Sequence, residues 1–270
     1  MRRTRVLPVL LVLLASALAA CSHGTGPGGA GSTNLVIVTL DTTRADRIGC
    51  YGAKDVATPR LDALAARGAR FDNAVTVAPL TLPAHCSLFT GLLPGAHGVR
   101  DNGGFKLAPE HETLAEALKA KGFATGGFVS AFVLDHRWGI AQGFDTFFDD
   151  FGLAQQGKTQ FEEIQRPGNE TVDRALAWIR QVKDKRFFAW VHLYDPHAPY
   201  DPPEPFRSRY PGRPYDGEIA WTDSLVGRLV DALDQEKLSG RTAIVVIADH
   251  GESLGAVSYT HLTLPTTPYV

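Results

Sequence analysis

Apolar runs and helical periods alternate along most of this chain. Asn34–Leu40 (NLVIVTL) is a short continuous apolar run, the pattern of a strand covered on both faces. Phe123–Val129, Phe187–Tyr194 (FFAWVHLY) and Arg241–Ala248 (RTAIVVIA) read the same way. Helical segments separate them. Thr58-Pro59 opens a helix through Ala66, with Thr58 as N-cap, Pro59 at the first helical position and Gly68 at the stop. Pro109–Lys121 (PEHETLAEALKAK) is acidic at its start, basic at its end and closed by Gly122. Glu170–Lys183 turns Leu176 and Ile179 inward, Ile219–Leu238 is a long amphipathic helix, and His97-Gly98 closes another. Strands alternating with helices predict an α/β fold, a mostly parallel central sheet flanked by helices on both faces.

Chemistry gathers just past three of those strands. Leu40 is followed by Asp41, Tyr194 by Asp195-Pro196-His197, and Ala248 by Asp249-His250-Gly251. The carboxyl edge of an open α/β sheet is where ligands bind. One such Asp is as readily a helix cap as a ligand. Three together, two with a nearby His, suit a hard or borderline divalent cation held by oxygen and nitrogen.

Charge narrows the function classes. The 270 residues carry 27 Lys+Arg and 29 Asp+Glu, a net of −2. Arg2, Arg3 and Arg5 all lie in the first five residues, so the remainder stands at about −5. No basic field is left for a nucleic-acid scaffold.

The two ends differ from the middle. MRRTR, the apolar stretch Val6–Ala17 and Leu18-Ala19-Ala20-Cys21 resemble a bacterial lipoprotein signal, with residues 1–20 removed and lipid on Cys21. An ordinary secretory signal with an incidental Cys is the alternative. Residues 21–33 are Gly-rich and form a flexible tether, so the protein is expected on the periplasmic face of a bacterial envelope, membrane-bound through its lipid. The catalytic domain is expected over 34–255. Residues 256–270 carry no charge, and VSYTHL looks like the translated end of a transposon-based sequencing adapter; a foreign tail on a domain incomplete at its carboxyl end is expected, a native Thr-rich strand being the alternative. Cys50 and Cys86 are expected as buried free thiols.

The segment Thr81–Asn102 (TLPAHCSLFTGLLPGAHGVRDN) fits T-x-P-x-H-x4-T-G-x2-P-x2-H-G-x2-D-N. It resembles the nucleophile segment of nucleotide pyrophosphatase/phosphodiesterases in the alkaline phosphatase superfamily. Asp41 with Arg44, Asp46 and Tyr51, and Asp249-His250-Gly251, look like that superfamily's first and last metal motifs. The flow of HLYDPHAPYDPP and YDGEIAWTDSLVGRLVDAL is similar to bacterial proteins filed as sulfatases.

The resemblance departs from sulfatases at three places. In the register of Thr90-Gly91, Thr81 stands where C-x-P-S-R has its Cys, Ala84 where it has Ser and His85 where it has Arg. Cys86 lacks the following Pro and Arg. The sulfatase Asp-Asp pair is Asp41-Thr42, and Val129-Ser130-Ala131-Phe132 replaces a G-K-W-H segment. These differences favour a phosphate mono- or diester over a sulfate ester.

What the resemblance implies is a metal-dependent hydrolase passing through a phospho-threonine. Thr81 would be the nucleophile, with Asp41, Asp249, His250 and Thr81 on one cation and Asp195 and His197 on a second. Two Zn2+ are expected in the complete protein, with Ca2+ or Mn2+ as other choices. The second site normally takes one more His from beyond Gly255, so the fragment is expected to be nearly inactive. Asn102, 21 residues past Thr81, would donate to a non-bridging oxygen, its alternative being a turn residue. Substrates would be small-molecule, glycan or lipid phosphoesters. The alternatives are a sulfuric ester hydrolase in the broad family sense, an envelope phospho-group transferase, or a lipoprotein that only binds.

Several polar residues have plainer readings. His97 closes a helix, Asp101 caps a turn, Lys106 is solvated, and Arg44 and Asp223 are structural. His85 lines the pocket or packs in the core. His192, on a buried strand, is either a core histidine or a partner to a ligand.

Overall fold

Five strands lie side by side in the order β3-β2-β4-β1-β5, and every pairing is parallel. They are β1 (Asn34–Leu40), β2 (Ala124–Phe128), β3 (Thr146–Phe148), β4 (Phe187–Leu193) and β5 (Thr242–Ala248). The structure, a computed structural model, describes residues 34–152 and 164–254. The expected signal, tether and foreign tail lie outside the described residues.

The period of two in β1 splits the core into two layers. Val36, Val38 and Leu40 face α5 (Gly168–Val182) and α7 (Pro214–Gln235), whose Val172, Ile179, Leu225 and Leu229 are buried against them. Ile37, on the opposite face, meets Leu82, Cys86 and Phe89 of α2 (Thr81–Thr90). β4 is buried throughout, sending Ala189 and Val191 to the first layer and Phe188 and Trp190 to the second. Each large aliphatic or aromatic side chain so buried contributes about 1.5–3 kcal/mol. β2 needs glycine because its neighbours come so close: a Cβ on Gly127 would lie 2.6 Å from the Phe147 ring.

The remaining helices are α1 (Pro59–Arg67), α3 (Pro94–His97), α4 (Leu114–Ala120) and α6 (Phe206–Arg209). His97-Gly98 does close a helix, with Gly98 left-handed at φ 81°. Some helix boundaries and caps differ from the pattern. Thr58 sits at the N-cap of α1, yet its hydroxyl accepts from Gly49 N at 2.8 Å and turns toward Asp62. The free N–H groups of Arg60 and Leu61 go to Asp223 Oδ1 on α7, at 3.1 and 2.8 Å. A buried carboxylate from another helix outcompetes the local hydroxyl, and Asp223 is structural as expected. α4 starts at Leu114, not Pro109, because Thr113 and Glu116 cap each other reciprocally. α7 begins five residues before Ile219 with Pro214 at its first turn, and it ends before Lys237, whose φ is 57°. The short edge strand β3 was not anticipated.

Candidate functional site

Two strand carboxyl ends and one helix N-terminus meet at one point above the sheet. β1 delivers Asp41, β5 delivers Asp249 and His250, and α2 begins with Thr81. One donor atom each from Asp41, Asp249 and His250 lies within 4.8 Å of the other two. Thr81 Oγ1 is 3.3 Å from His250 Nε2, which is 3.5 Å from Asp249 Oδ2 and 4.0 Å from Asp41 Oδ1. The register of β1 against β5, which pairs Leu40 with Ala248, puts the two carboxylates side by side.

The donor set fits a divalent cation. Asp41 Oδ1 and Asp249 Oδ2 are buried and have no hydrogen-bond partner, while the other oxygen of each is engaged. Burial raises the pKa of both carboxyls, and for Asp249 the nearby Asp41 charge raises it further. For His250 burial works to lower the pKa, but Asp249 and Asp41 outweigh it and hold the imidazole above its ordinary value. Two desolvated carboxylates facing each other are what a cation between them relieves.

The backbone around the ligands is held firmly. Thr42, directly after Asp41, has φ 48°, a left-handed conformation costly for a β-branched residue. It brings the Thr42 N–H to Asp249 Oδ1 at 3.2 Å, its hydroxyl donates to Pro196 O, and Tyr215 Oη donates to its carbonyl at 2.7 Å. So the residue standing where sulfatases have a second Asp binds a neighbouring ligand through its backbone.

The nucleophile segment folds around Thr81. Its helix is buried along most of its length and starts at Thr81, so the hydroxyl sits at the positive end of the helix dipole. Asn102 Oδ1 accepts from Leu82 N at 2.9 Å, which binds the end of the segment to the first turn. Asn102 Nδ2 has no protein partner among the described residues. His85 Nδ1 donates to Thr81 O at 2.7 Å, and burial lowers its pKa to about 4, so the ring is neutral. His97 lies away from the cation donors: Val99 N donates to its Nδ1 at 3.1 Å, leaving Nε2–H to donate to Ser87 Oγ at 2.9 Å. That tautomer cannot act as a base for Ser87.

Cys86 and Cys50 are free thiols, as expected. Cys86 is buried, and burial pushes its pKa up to about 12, so it is no nucleophile. Cys50 is only half-buried.

Among the described residues, Asp195 and His197 join no cluster of cation donors. Asp195 Oδ1 accepts from Gly168 N at 3.1 Å and from Trp221 Nε1 at 2.9 Å, so Asp195 caps α5. Its carboxylate faces Glu218, whose pKa burial and Asp195 raise to about 8. Capping wins because Gly168 is close enough that a Cβ there would strike Asp195 Oδ2 at 2.2 Å. His197 closes a turn after β4, its N–H donating to Tyr194 O at 2.9 Å. Its ring stacks on Tyr194 at 4.3 Å, and Nδ1 bonds Ala198 O. The most informative residue beyond the motif is His192, buried beneath Asp41 with Nε2 3.1 Å from Asp41 Oδ2. In the sequence its only signal is a His inside a continuous apolar strand.

The family model described as Sulfatase matches residues 33–268. The chain is 29% identical to an ulvan-active sulfatase of Formosa agariphila, over 83% of this chain and 51% of that protein. Among solved structures, Ps i-CgsB superposes with a TM-score of 0.72 at 23% identity, over 84% of this chain and 61% of that one. The phosphonate monoester hydrolase of Agrobacterium radiobacter gives 0.69 at 20% identity, over 83% and 63%. The chain spans about half the length of the curated relatives it matches. Curated relatives that match the chain are named as sulfatases, not as phosphoesterases.

Proposed function

The chain belongs to the sulfatase family, and from that premise we propose that it is a metal-dependent ester hydrolase whose nucleophile is Thr81 and whose substrate is a phosphate ester. The observation that carries the reading is the place of Thr81 Oγ1, at a helix N-terminus and 3.3 Å from His250, beside two buried carboxylate oxygens without partners. Asp41, Asp249 and His250 would hold one divalent cation, Zn2+ first and Mn2+ or Ca2+ next. When bound, that cation lowers the pKa of the Thr81 hydroxyl and offsets charge on the ester. Thr81 Oγ1 then forms a bond to phosphorus as its proton passes to solvent and the ester's P–O bond breaks, the leaving oxygen takes a proton from solvent, and water cleaves the phospho-threonine, restoring the Thr81 hydroxyl and releasing the phosphate group. The α2 N-terminus and Asn102 Nδ2 donate to the non-bridging oxygens.

Sulfuric ester hydrolysis is the second reading, and the relatives named for sulfate support it more strongly than they support phosphate. The fold hosts one protein named as a sulfatase and one named as a phosphonate monoester hydrolase, so fold does not choose. Thr81 supports phosphate, because its secondary hydroxyl would oxidise to a ketone and not to the hydrated aldehyde that sulfatase chemistry uses. The test is a side-by-side assay of one aryl alcohol as phosphate monoester, phosphate diester and sulfate ester. Faster turnover of a phosphate ester, lost on chelation, is expected; preference for the sulfate overturns the phosphoester reading and establishes the second.

The cell address belongs to the same proposal. A lipid on Cys21 would hold the domain at the envelope surface, facing glycan or lipid esters. No helix among the described residues is long and apolar enough to cross a membrane. Labelling with radioactive palmitate, lost in Cys21→Ser, would establish the anchor.

A further inference from the structure

Three adjacent strands contribute one residue each to a buried chain of hydrogen bonds that ends on a cation ligand. Ser130 follows β2, His192 lies on β4 and Asp41 follows β1, and β4 pairs with both neighbours. All three residues are fully buried. Ser130 N donates to His192 Nδ1 at 3.4 Å, so the ring proton sits on Nε2 and is donated to Asp41 Oδ2 at 3.1 Å. Ser130 is fixed in turn: its Oγ donates to His192 O at 2.8 Å and lies 2.8 Å from Thr171 Oγ1. The ring is packed by Tyr194 and by His85 in an edge contact at 5.1 Å.

We propose that His192 is the positioning residue of the cation site, through a Ser130–His192–Asp41 relay that occupies Asp41 Oδ2 and presents Oδ1 alone to the ion. This rests on the one-cation reading of Asp41, Asp249 and His250. A carboxylate with two free oxygens can rotate or chelate with both; one with an oxygen engaged by a fixed imidazole is a one-oxygen ligand already in place. Asp41 Oδ1 is the oxygen left without a partner, as this requires. Ser130 belongs to the segment that stands where the resemblance has G-K-W-H, and here it braces Asp41 from behind through His192. The backbone carbonyls and the Ser130 and Thr171 hydroxyls already satisfy one another, leaving the Asp41 carboxylate as the free end of the chain.

Two variants that differ by one methylene test the relay. In His192→Gln the amide reaches the place of Nε2 and can still donate to Asp41; in His192→Asn it reaches only the place of Nδ1, keeping the Ser130 side and losing Asp41. Zn2+ affinity is measured on the whole chain by competition with a chromophoric chelator, together with the melting temperature after chelation. Expected is a 10- to 100-fold rise in Kd for His192→Asn, within threefold of wild type for His192→Gln, and chelated melting temperatures of the two variants within a few degrees of each other. Should His192→Asn fail to fold, Ser130→Ala, which frees one side of the ring, is expected to weaken Zn2+ by a smaller factor without altering stoichiometry. Equal Zn2+ affinity in the Asn variant and wild type overturns the relay while leaving the cation site standing. Absence of Zn2+ binding by wild type overturns the site itself.

Discussion

The hydroxyl of Thr81 lies 3.3 Å from Nε2 of His250, a residue 169 positions further along the chain. Between them the chain runs through four of the five strands, so only the closed sheet brings the first residue of α2 to the end of β5. Thr81→Ala removes the nucleophile without touching a core contact. A fall of about a thousandfold or more in kcat/KM is expected, with the melting temperature nearly unchanged. Cys86→Ala should leave turnover within severalfold of wild type. A Cys86 variant that abolishes activity while the Thr81 variant keeps it would contradict this assignment.

Cation binding should be visible as stability. Two desolvated carboxylates face each other at Asp41 and Asp249, so an ion that binds only the folded chain raises its melting temperature. Zn2+ at one hundred times its Kd is expected to add about 2.7 kcal/mol. Asp249→Asn should erase that increment in calorimetry, and its metal-free form should be no less stable than chelated wild type, because one desolvated charge is gone.

Asp195 is predicted to matter for stability and not for the ion. Asp195→Ala removes the acceptor for Gly168 N and the Trp221 indole, at an expected cost of about 1–3 kcal/mol. Zn2+ affinity should stay within threefold. Gly168→Ala should destabilise comparably, since its Cβ would overlap Asp195 Oδ2. A tenfold loss of Zn2+ affinity in Asp195→Ala would restore it as a ligand.

Glu218 sets a pH dependence. Burial, then the Asp195 charge, raises its carboxyl to about 8 from its ordinary 4.5. Between those pH values the folded chain holds a proton that the unfolded chain has released. Stability is therefore fullest toward pH 4.5 and is lost as pH rises toward 8, by an amount on the order of 2 kcal/mol. Glu218→Gln keeps an acceptor for Asp201 N and carries no charge, so its denaturation midpoint should vary less between pH 5 and 8 than that of wild type. Equal slopes in urea titrations of the two proteins would refute this.

Much of the fold was legible because burial on both faces leaves a strong mark. NLVIVTL, FFAWVHLY and RTAIVVIA are strands in the structure, within a residue of their expected bounds; the first two are buried as expected, while RTAIVVIA, at the sheet edge among the described residues, is only half-buried. Helix starts were less legible. The caps of α1 and α4 came from a competition between acceptors, and in α1 the winner was Asp223, brought in from a distant helix.

The site divides along the same line. Sequence by itself determined which chemistry is present: carboxylates and imidazoles after buried strands, a threonine opening the nucleophile segment, and no thiol in the required setting. Side chains that follow a strand directly inherit their place from the sheet, so Asp41, Asp249 and His250 could be placed at its carboxyl edge without coordinates. Tertiary structure alone decided where the less constrained groups went. Asp195 also follows a strand, but its carboxylate turns to the N-terminus of α5 and an indole, donors that only the packing of α5 and α7 brings beside it. His192 reads as one more buried strand residue until β1 is laid beside β4, which turns the same imidazole into the partner of Asp41. Residue type and local period are written along the chain; which donor meets which acceptor depends on the register between strands, and that is fixed only when the sheet closes.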